Sequence, residues 1–338
     1  MSCTISSVTT TSAPEASAHL PAGCTIRPPL LDDLNAVVRL LKDCDAHDYG
    51  EAEETEESIR DHWRPMSLED DARIVVDSAG SIVGYADQAK RNPVRLPGYA
   101  RVHPDHRERG IGSALTDWVE ARAALRIQDA PEGARVRLQF GMARENQAAI
   151  DLLSDRGYAF ARGFQRMVIQ LPSQPPVPVW PAGVDVRQYV KGPDDEPTWN
   201  AVEEAFEDHW GNVRSSFEEW SKTYARESFD PSLWFLATAG DEIAGASLCS
   251  NRDDMGWVGS LSVRRPWRRQ GLAIALLHHT FAEFYRRGQE TIGLGVDSSS
   301  LTGATRVYER VGMHADQHGI VYMKVLRDGI EISTEALN

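Results

Sequence analysis

The segment Val102-His-Pro-Asp-His-Arg107-Glu-Arg-Gly110-Ile-Gly112 returns later in the chain as Val263-Arg-Arg-Pro-Trp-Arg268-Arg-Gln-Gly271-Leu-Ala273. In both places an apolar, strand-like run gives way to a basic turn with small residues. A helical pattern follows, at Ser113–Arg126 and at Ile274–Arg287. Arg107 and Arg268 stand 161 residues apart, as do Gly110 and Gly271 and, upstream, Gly84 and Gly245. A fixed offset within one strand–turn–helix context predicts a duplicated domain. The length of 338 residues fits about two domains.

A helix N-terminus offers backbone N–H groups without intrahelical partners and a partial positive charge. Small residues in the preceding turn let an anion approach the backbone. The repeated segment therefore predicts a cradle for a phosphorylated small ligand. The net charge of −14 argues against nonspecific binding to nucleic acid or anionic membrane. It also isolates the basic clusters, Arg101, His103, His106, Arg107 and Arg109 in one copy and Arg264, Arg265, Arg268 and Arg269 in the other. A dinucleotide fingerprint fits poorly, because Leu115 stands where the third glycine is needed. There is no Gly-x-x-x-x-Gly-Lys-Ser/Thr loop.

Residues 1–22, rich in Ser, Thr and Ala, read as a disordered lead. The first domain is expected over 23–171. It starts with a strand at Cys24–Arg27 and has helices at Leu30–Leu41 and Glu54–His62. Paired strands at Arg73–Val76 and Ile82–Ala89 lead to a strand ending at Val102. After the long helix come a strand at Ala134–Met142, a helix at Asn146–Asp155 and the last strands at Tyr158–Leu171. A Pro-rich linker covers 172–183.

The second domain, 184–327, repeats the order, with helices at Trp199–His209 and Phe217–Arg226 and a final strand at Met313–Leu326; a tail covers 328–338. Asp253 and Asp254 read as a hairpin turn. The fold class is α/β (α+β), each copy a mixed, mostly antiparallel sheet flanked by helices. Cys3, Cys24, Cys44 and Cys249 show no metal-site spacing. With no membrane-length apolar run, a cytoplasmic location is the default.

The Arg-x-x-Gly-x-Gly/Ala turn and its preceding valine resemble motif A of the GNAT superfamily, the GCN5-related N-acetyltransferases. The run from Gly295 through Tyr308 to Gly312-Met313 resembles that family's later motif, a helix with a tyrosine that ends at glycine. The resemblance covers nearly the whole chain as two tandem copies. The arrangement is similar to that of bacterial two-domain acetyltransferases of the mycothiol synthase type.

The resemblance implies acetyl-CoA as donor and a small-molecule amine as acceptor; the net charge, the cysteine spacing and the lack of a membrane-length apolar run argue against nucleic acid, metal and membrane partners. Monomer and homodimer both remain open. In the second domain it assigns Arg268, Arg269, Gln270, Gly271, Leu272 and Ala273 to the diphosphate, with Leu261, Ser262 and Val263 beside the pantetheine arm. In the first domain the matching set is Ala100, Arg101 and Val102 with Arg107, Glu108, Arg109, Gly110, Ile111 and Gly112.

The two copies differ at one chemical position. Four residues before the closing glycine, the second has Tyr308 and the first has Leu153. A phenol can donate a proton to a leaving thiolate and leucine cannot. The second domain is therefore expected to be catalytic, with Tyr308 as general acid. Related tandem enzymes can place a glutamate on the strand before the cradle; here that place is read as Trp257. Candidate bases are His209 and Asp208, with Glu204 and Asp297 also in view. Trp210, Trp220, Trp234, Trp257 and Trp267 are expected mainly to pack, with a minority lining an acceptor pocket. His278 with His279, and His314 with His318, make poor metal pairs. Alternative functions are acetylation of a cysteinyl amino sugar, a noncatalytic acyl-CoA-binding module, and transfer of a longer acyl chain or to a protein N-terminus.

Overall fold

Glycines and β-branched runs punctuate the first half of the chain into short elements. They are seen in a computed structural model that describes residues 20–334, apart from Glu53, Arg91, Glu227, Asp253, Asp254 and residues 299–302. The expected turn at Asp253 and Asp254, Cys3, and all but the end of the N-terminal lead lie outside the described residues. The chain divides into two compact units: residues 1–140, 148–157 and 324–329 form the first, and 141–147, 158–323 and 330–338 the second.

The first unit runs β1 (Thr25–Arg27), α1 (Leu34–Tyr49), α2 (Glu56–Trp63), α3 (Leu68–Asp71), β2 (Ala72–Val76), β3 (Ile82–Asp87), β4 (Arg95–Val102), α4 (Ile111–Arg126), β5 (Val136–Ala143) and α5 (Gln147–Asp155). Its strands lie in chain order, antiparallel except for the parallel pair β4 and β5. Thr55 caps α2 by accepting from the Ser58 amide, and α1 stops at Gly50, whose φ of 86° favours glycine. The apolar faces of α1 and α2 (Val37, Leu41, Ile59, Trp63) bury against Ile74 and Tyr85. On the other face α4 lies so close that a Cβ on Gly84 would meet Ile111 and Leu115, and one on Gly98 would meet Val119 at 2.8 Å. Small residues on the strands therefore set the depth at which α4 seats.

The second unit contains β6 (Ala159–Gln170), β7 (Asp185–Gln188), α6 (Asp195–Phe206), α7 (Phe217–Ser221), β8 (Trp234–Ala239), β9 (Glu242–Arg252), β10 (Met255–Val263), α8 (Leu272–Arg286), β11 (Thr291–Asp297), α9 (Ala304–Arg310) and β12 (His314–Arg327) to Met323. The sheet order is β12-β6-β11-β10-β9-β8-β7, with β10 and β11 parallel. Tyr189, Val202, Trp234 and Leu248 form the core beneath α6, with Trp220 and Tyr224 packed against it. Leu277, Phe281 and Phe284 of α8 fill the opposite face with Val258, Ile292 and Leu294.

Two details depart from the sequence reading. The first helix of this unit ends at Phe206, so Asp208 and His209 sit in the turn beyond it. The strand at 159–170, read as the close of the first repeat, lies in the second unit's sheet, antiparallel to both β11 and β12. It contributes Met167 and Ile169 to the core beneath α8. Its alternating pattern suits either sheet, so sequence alone does not choose. Because β6 is an interior strand, a fragment beginning at Pro172 would leave two open edges. That fragment should show no cooperative thermal transition by circular dichroism, whereas the full chain should.

Candidate functional site

The parallel strands of each unit part company midway. In the second unit β10 pairs with β11 only from Met255↔Thr291 to Trp257↔Gly293. Beyond that point β10 continues to Val263 on β9 alone, and β11 continues to Asp297 on β6. In the first unit β4 and β5 pair from Arg95↔Arg137 to Gly98↔Phe140, while β4 runs on to Val102 beside β3. In each fork the first strand runs on beyond its parallel partner without further pairing to it among the described residues, an edge suited to an extended amide-bearing ligand.

The forks differ in one respect. The β10–β9 register shifts between Val258 and Ser260. The shift reverses the alternation, so Val258 and Leu261 both pack on the core beneath α8. The pairing of β4 with β3 runs from Gly84↔Val102 to Asp87↔Tyr99 without a shift.

Each fork leads into the repeated loop. Glu108 (φ 61°) and Gly110 (φ 91°) are left-handed in the first, Arg269 (φ 63°) and Gly271 (φ 86°) in the second. A Cβ on Gly271 would meet nothing within 4 Å, so its backbone angle rather than crowding favours glycine. Left-handed turns gather successive N–H groups into an anion-binding concavity. Gly110 and Gly271 are the N-caps of α4 and α8, and no side chain caps either helix. At Gly112, in the first turn of α4, a Cβ would lie 3.2 Å from Leu152; Ala273 stands at the matching place in α8.

The arginines divide into two kinds. Arg268 Nε donates to Val263 O at 3.1 Å, and its Nη atoms donate to Asp208 Oδ2 at 2.8 Å and Ala205 O at 3.0 Å. Arg107 does the same in the first unit, with Val102 O at 3.4 Å and both carboxylate oxygens of Asp48 at 2.8 and 2.9 Å. These two guanidiniums pin the loop to the preceding strand and helix; they are not turned over to an anion. Arg109 and Arg269 are exposed and make no hydrogen bond or ion pair among the described residues. Gln270 donates back to Pro266 O. Arg101, grouped with the first cradle in the sequence reading, stacks over the Tyr99 ring at 4.3 Å, on the side of the sheet away from α4. Ser262 is buried and bonds Ala246 O. The staple carboxylates were missed in the sequence, although Asp48 and Asp208 nearly keep the repeat offset.

Tyr308 on α9 is 9% exposed within the core beneath α8. Its hydroxyl has no hydrogen-bond partner among the described residues, and burial pushes the phenol up to about 12. It is therefore fully protonated at neutral pH. Leu153 is buried on α5. Of the candidate bases, Asp208 is bound by Arg265 and Arg268, and their hydrogen bonds pull its carboxyl down to about 2. Held by two guanidiniums, it is a weaker proton acceptor than the base expected there, and in the structure it braces the loop. Glu204 pairs with Arg264 at 2.7 Å and Asp297 with Arg162 at 2.9 Å. The His209 ring lies 4.2 Å from that of Phe206 and has no side-chain hydrogen bond among the described residues. Burial, then the Arg268 charge, lowers its pKa, so the imidazole is neutral at pH 7. Trp257 lies across Gly293 with the Arg252 guanidinium 3.7 Å above its ring.

Among the described residues no cluster of three or more His, Cys, Asp or Glu could hold a metal, and no helix is long and apolar enough to cross a membrane.

A twofold-repeated mixed sheet, with a strand fork opening toward a glycine-capped helix in each copy, defines a tandem transferase architecture. The model of the acetyltransferase (GNAT) family matches residues 34–158 and 199–313, and the chain belongs to that family. It is similar to the mycothiol acetyltransferase of Kineococcus radiotolerans, with 30% identity over 86% of this chain and 94% of the relative. The mycothiol acetyltransferase of Streptomyces scabiei is 29% identical over 71% of this chain and 76% of its own length. A crystal structure of a GCN5-related N-acetyltransferase from Sphaerobacter thermophilus superposes with a TM-score of 0.83 at 37% identity, covering 93% of this chain and 99% of that one. The chain is thus an acyltransferase with two GNAT regions.

The Asp208 staple carries its own signature. A carboxyl with a lowered folded-state pKa contributes stability above its unfolded value of about 3.9, and loses it as pH falls toward the folded value. Urea midpoints of the wild type should therefore drop between about pH 4 and pH 2. Asp208→Asn should be less stable at pH 7 and show a shallower drop across that window.

Proposed function

We propose that the second unit transfers acetyl from acetyl-CoA to a primary amine of a small metabolite. The observation that carries this reading is the coincidence, in one unit, of the left-handed loop, the bulged fork and a buried phenol. The family's donor, acetyl-CoA, has the groups these features suit. Its diphosphate would rest on the amides of residues 269–273 with Arg269 as counter-charge. Each helix-end contact is worth about 0.3–1 kcal/mol, so several must act together. The amides of the pantetheine arm would follow the open edge of β10 along Leu261 to Val263. The bulge leaves backbone beside the fork without a regular ladder partner, available to the thioester carbonyl oxygen as charge develops there.

In the reaction the amine nitrogen attacks the thioester carbon and the carbon–sulfur bond breaks. Tyr308 donates its proton to the departing sulfur and regains one from solvent. His209, neutral at pH 7, takes the proton the amine sheds. Held reactants and positioned acid–base groups each lower the barrier, the latter by about 10²–10⁴-fold. Two mycothiol acetyltransferases at 29% and 30% identity favour a cysteinyl amino sugar as the acceptor among small amines. A donor panel that includes longer acyl-CoA thioesters, and an acceptor panel that includes peptides, separates this reading from its rivals.

Tyr308→Phe should lower kcat about 100-fold with acetyl-CoA affinity retained, measured by thiol release and calorimetry; unchanged kcat removes the acid assignment. Arg269→Ala should weaken acetyl-CoA binding several-fold, with the effect shrinking as salt is raised, and should leave the melting temperature unchanged. Salt-independent binding would mean that this arginine does not face the diphosphate.

A further inference from the structure

The second unit holds a cavity that the proposed transfer chemistry leaves unused. It lies where the C-terminal half of α8 meets β8 and the outermost strand β7, and its volume is about 370 Å³. That size falls within the range of small-molecule sites. Neither Tyr308 nor the glycine-capped loop lines it.

One end of the cavity is apolar and aromatic, formed by Val186, Phe235 and His279. The His279 ring meets that of Phe235 edge-on, with centroids 4.7 Å apart, and that of Trp180 at 5.8 Å. Burial lowers the His279 pKa, so the imidazole is neutral at pH 7 and carries one N–H donor and one acceptor. Neither ring nitrogen has a hydrogen-bond partner among the described residues.

The other end is charged. Glu283 accepts from Arg286 Nε at 2.8 Å and Nη2 at 2.7 Å, and from Arg287 Nε at 2.6 Å. Arg287 is fully engaged, since its Nη atoms donate to Asp230 at 2.8 Å and to Ser232 Oγ at 2.7 Å. Arg187 is likewise held by Asp194. Neither Asp194 nor Asp230 lines the cavity, which leaves Glu283 as the one lining carboxylate against three arginines. Arg286 is the spare cation: its side chain is 70% exposed, and its Nη1 has no partner among the described residues.

The first unit fills the matching place with its own side chain. At the repeat offset of 161 residues, Trp118 stands for His279, Leu125 for Arg286 and Arg126 for Arg287. Trp118 is 2% exposed, with the Arg73 guanidinium 4.9 Å from its ring. Arg126 bonds Asp71 much as Arg287 bonds Asp230, so both helices keep that ion pair. The second unit differs in two respects. An imidazole replaces the larger indole, which opens space for a flat ring. An arginine replaces leucine, which adds a cation at the rim.

We propose that this cavity is a separate binding site for a small aromatic carboxylate, whose ring lies against Phe235 and His279 and whose carboxylate accepts from Arg286. Indole-3-carboxylate is a suitable probe, with indole-3-carboxamide as its neutral counterpart. Crystals of the full chain soaked in the acid should show its ring in the cavity and its carboxylate within hydrogen-bond distance of Arg286. By calorimetry, Arg286→Leu should weaken binding about tenfold, as should replacing the acid with the amide. His279→Trp, which restores the first unit's side chain, should abolish it, with the fold checked by melting temperature. Probe seen only elsewhere in the crystal, equal affinity for the amide, or undiminished affinity in Arg286→Leu or in folded His279→Trp would each overturn the proposal. The wild-type soak decides by itself if a variant does not fold. The proposal goes beyond acetyl transfer, and its failure leaves that reading intact, because transfer rests on Tyr308 and the β10 fork.

Discussion

A carboxylate, an arginine and a strand-end carbonyl hold each loop in shape, and the rest of the site depends on that trio. Left-handed backbone at a non-glycine residue, as at Glu108 and Arg269, is unfavourable by about 1–2 kcal/mol. Left alone, such a loop would relax and its amides would scatter. The Asp208–Arg268–Val263 contacts and their Asp48–Arg107–Val102 counterparts fix the loop against the strand it leaves and the helix before it. Arg268 is thus an organiser of the cradle, and Arg269 is the cation left available to a ligand. The most conspicuous residue of the motif works on the protein, and its neighbour faces outward.

Duplication supplied two such loops, and the units then diverged around them. The second has a bulged strand and a phenol; the first has a regular strand and Leu153. Arg156 sharpens the contrast: it bonds Asp117 at 2.6 Å and the Ser113 carbonyl at 3.2 Å, fastening α5 to α4 in the first unit. Val311 occupies the matching place before Gly312 and cannot make these bonds.

Much of the fold was legible in the sequence because its signals are local. Alternating apolar runs gave the strands, glycines gave the helix starts, and a constant offset gave the duplication. The family and the tyrosine difference followed from motifs that need no tertiary knowledge. What escaped depends on contacts distant in sequence. Nothing near Asp208 indicates that two arginines some 60 positions on will occupy it, and nothing in 159–170 says which sheet will accept it. The bulge between Val258 and Ser260 was hidden because Gly259 looks like any small residue in a strand.

The bulge in β10 also determines which changes of length this strand can withstand. Side chains alternate between sheet faces with a period of two, and the extra residue reverses that alternation once. Deleting a single residue near Gly259 would undo the reversal, sending Leu261 and Val263 to the α6 side and Ser260 and Ser262 toward α8. Substitution can reshape this strand one side chain at a time; a one-codon deletion would exchange its two faces beyond the bulge.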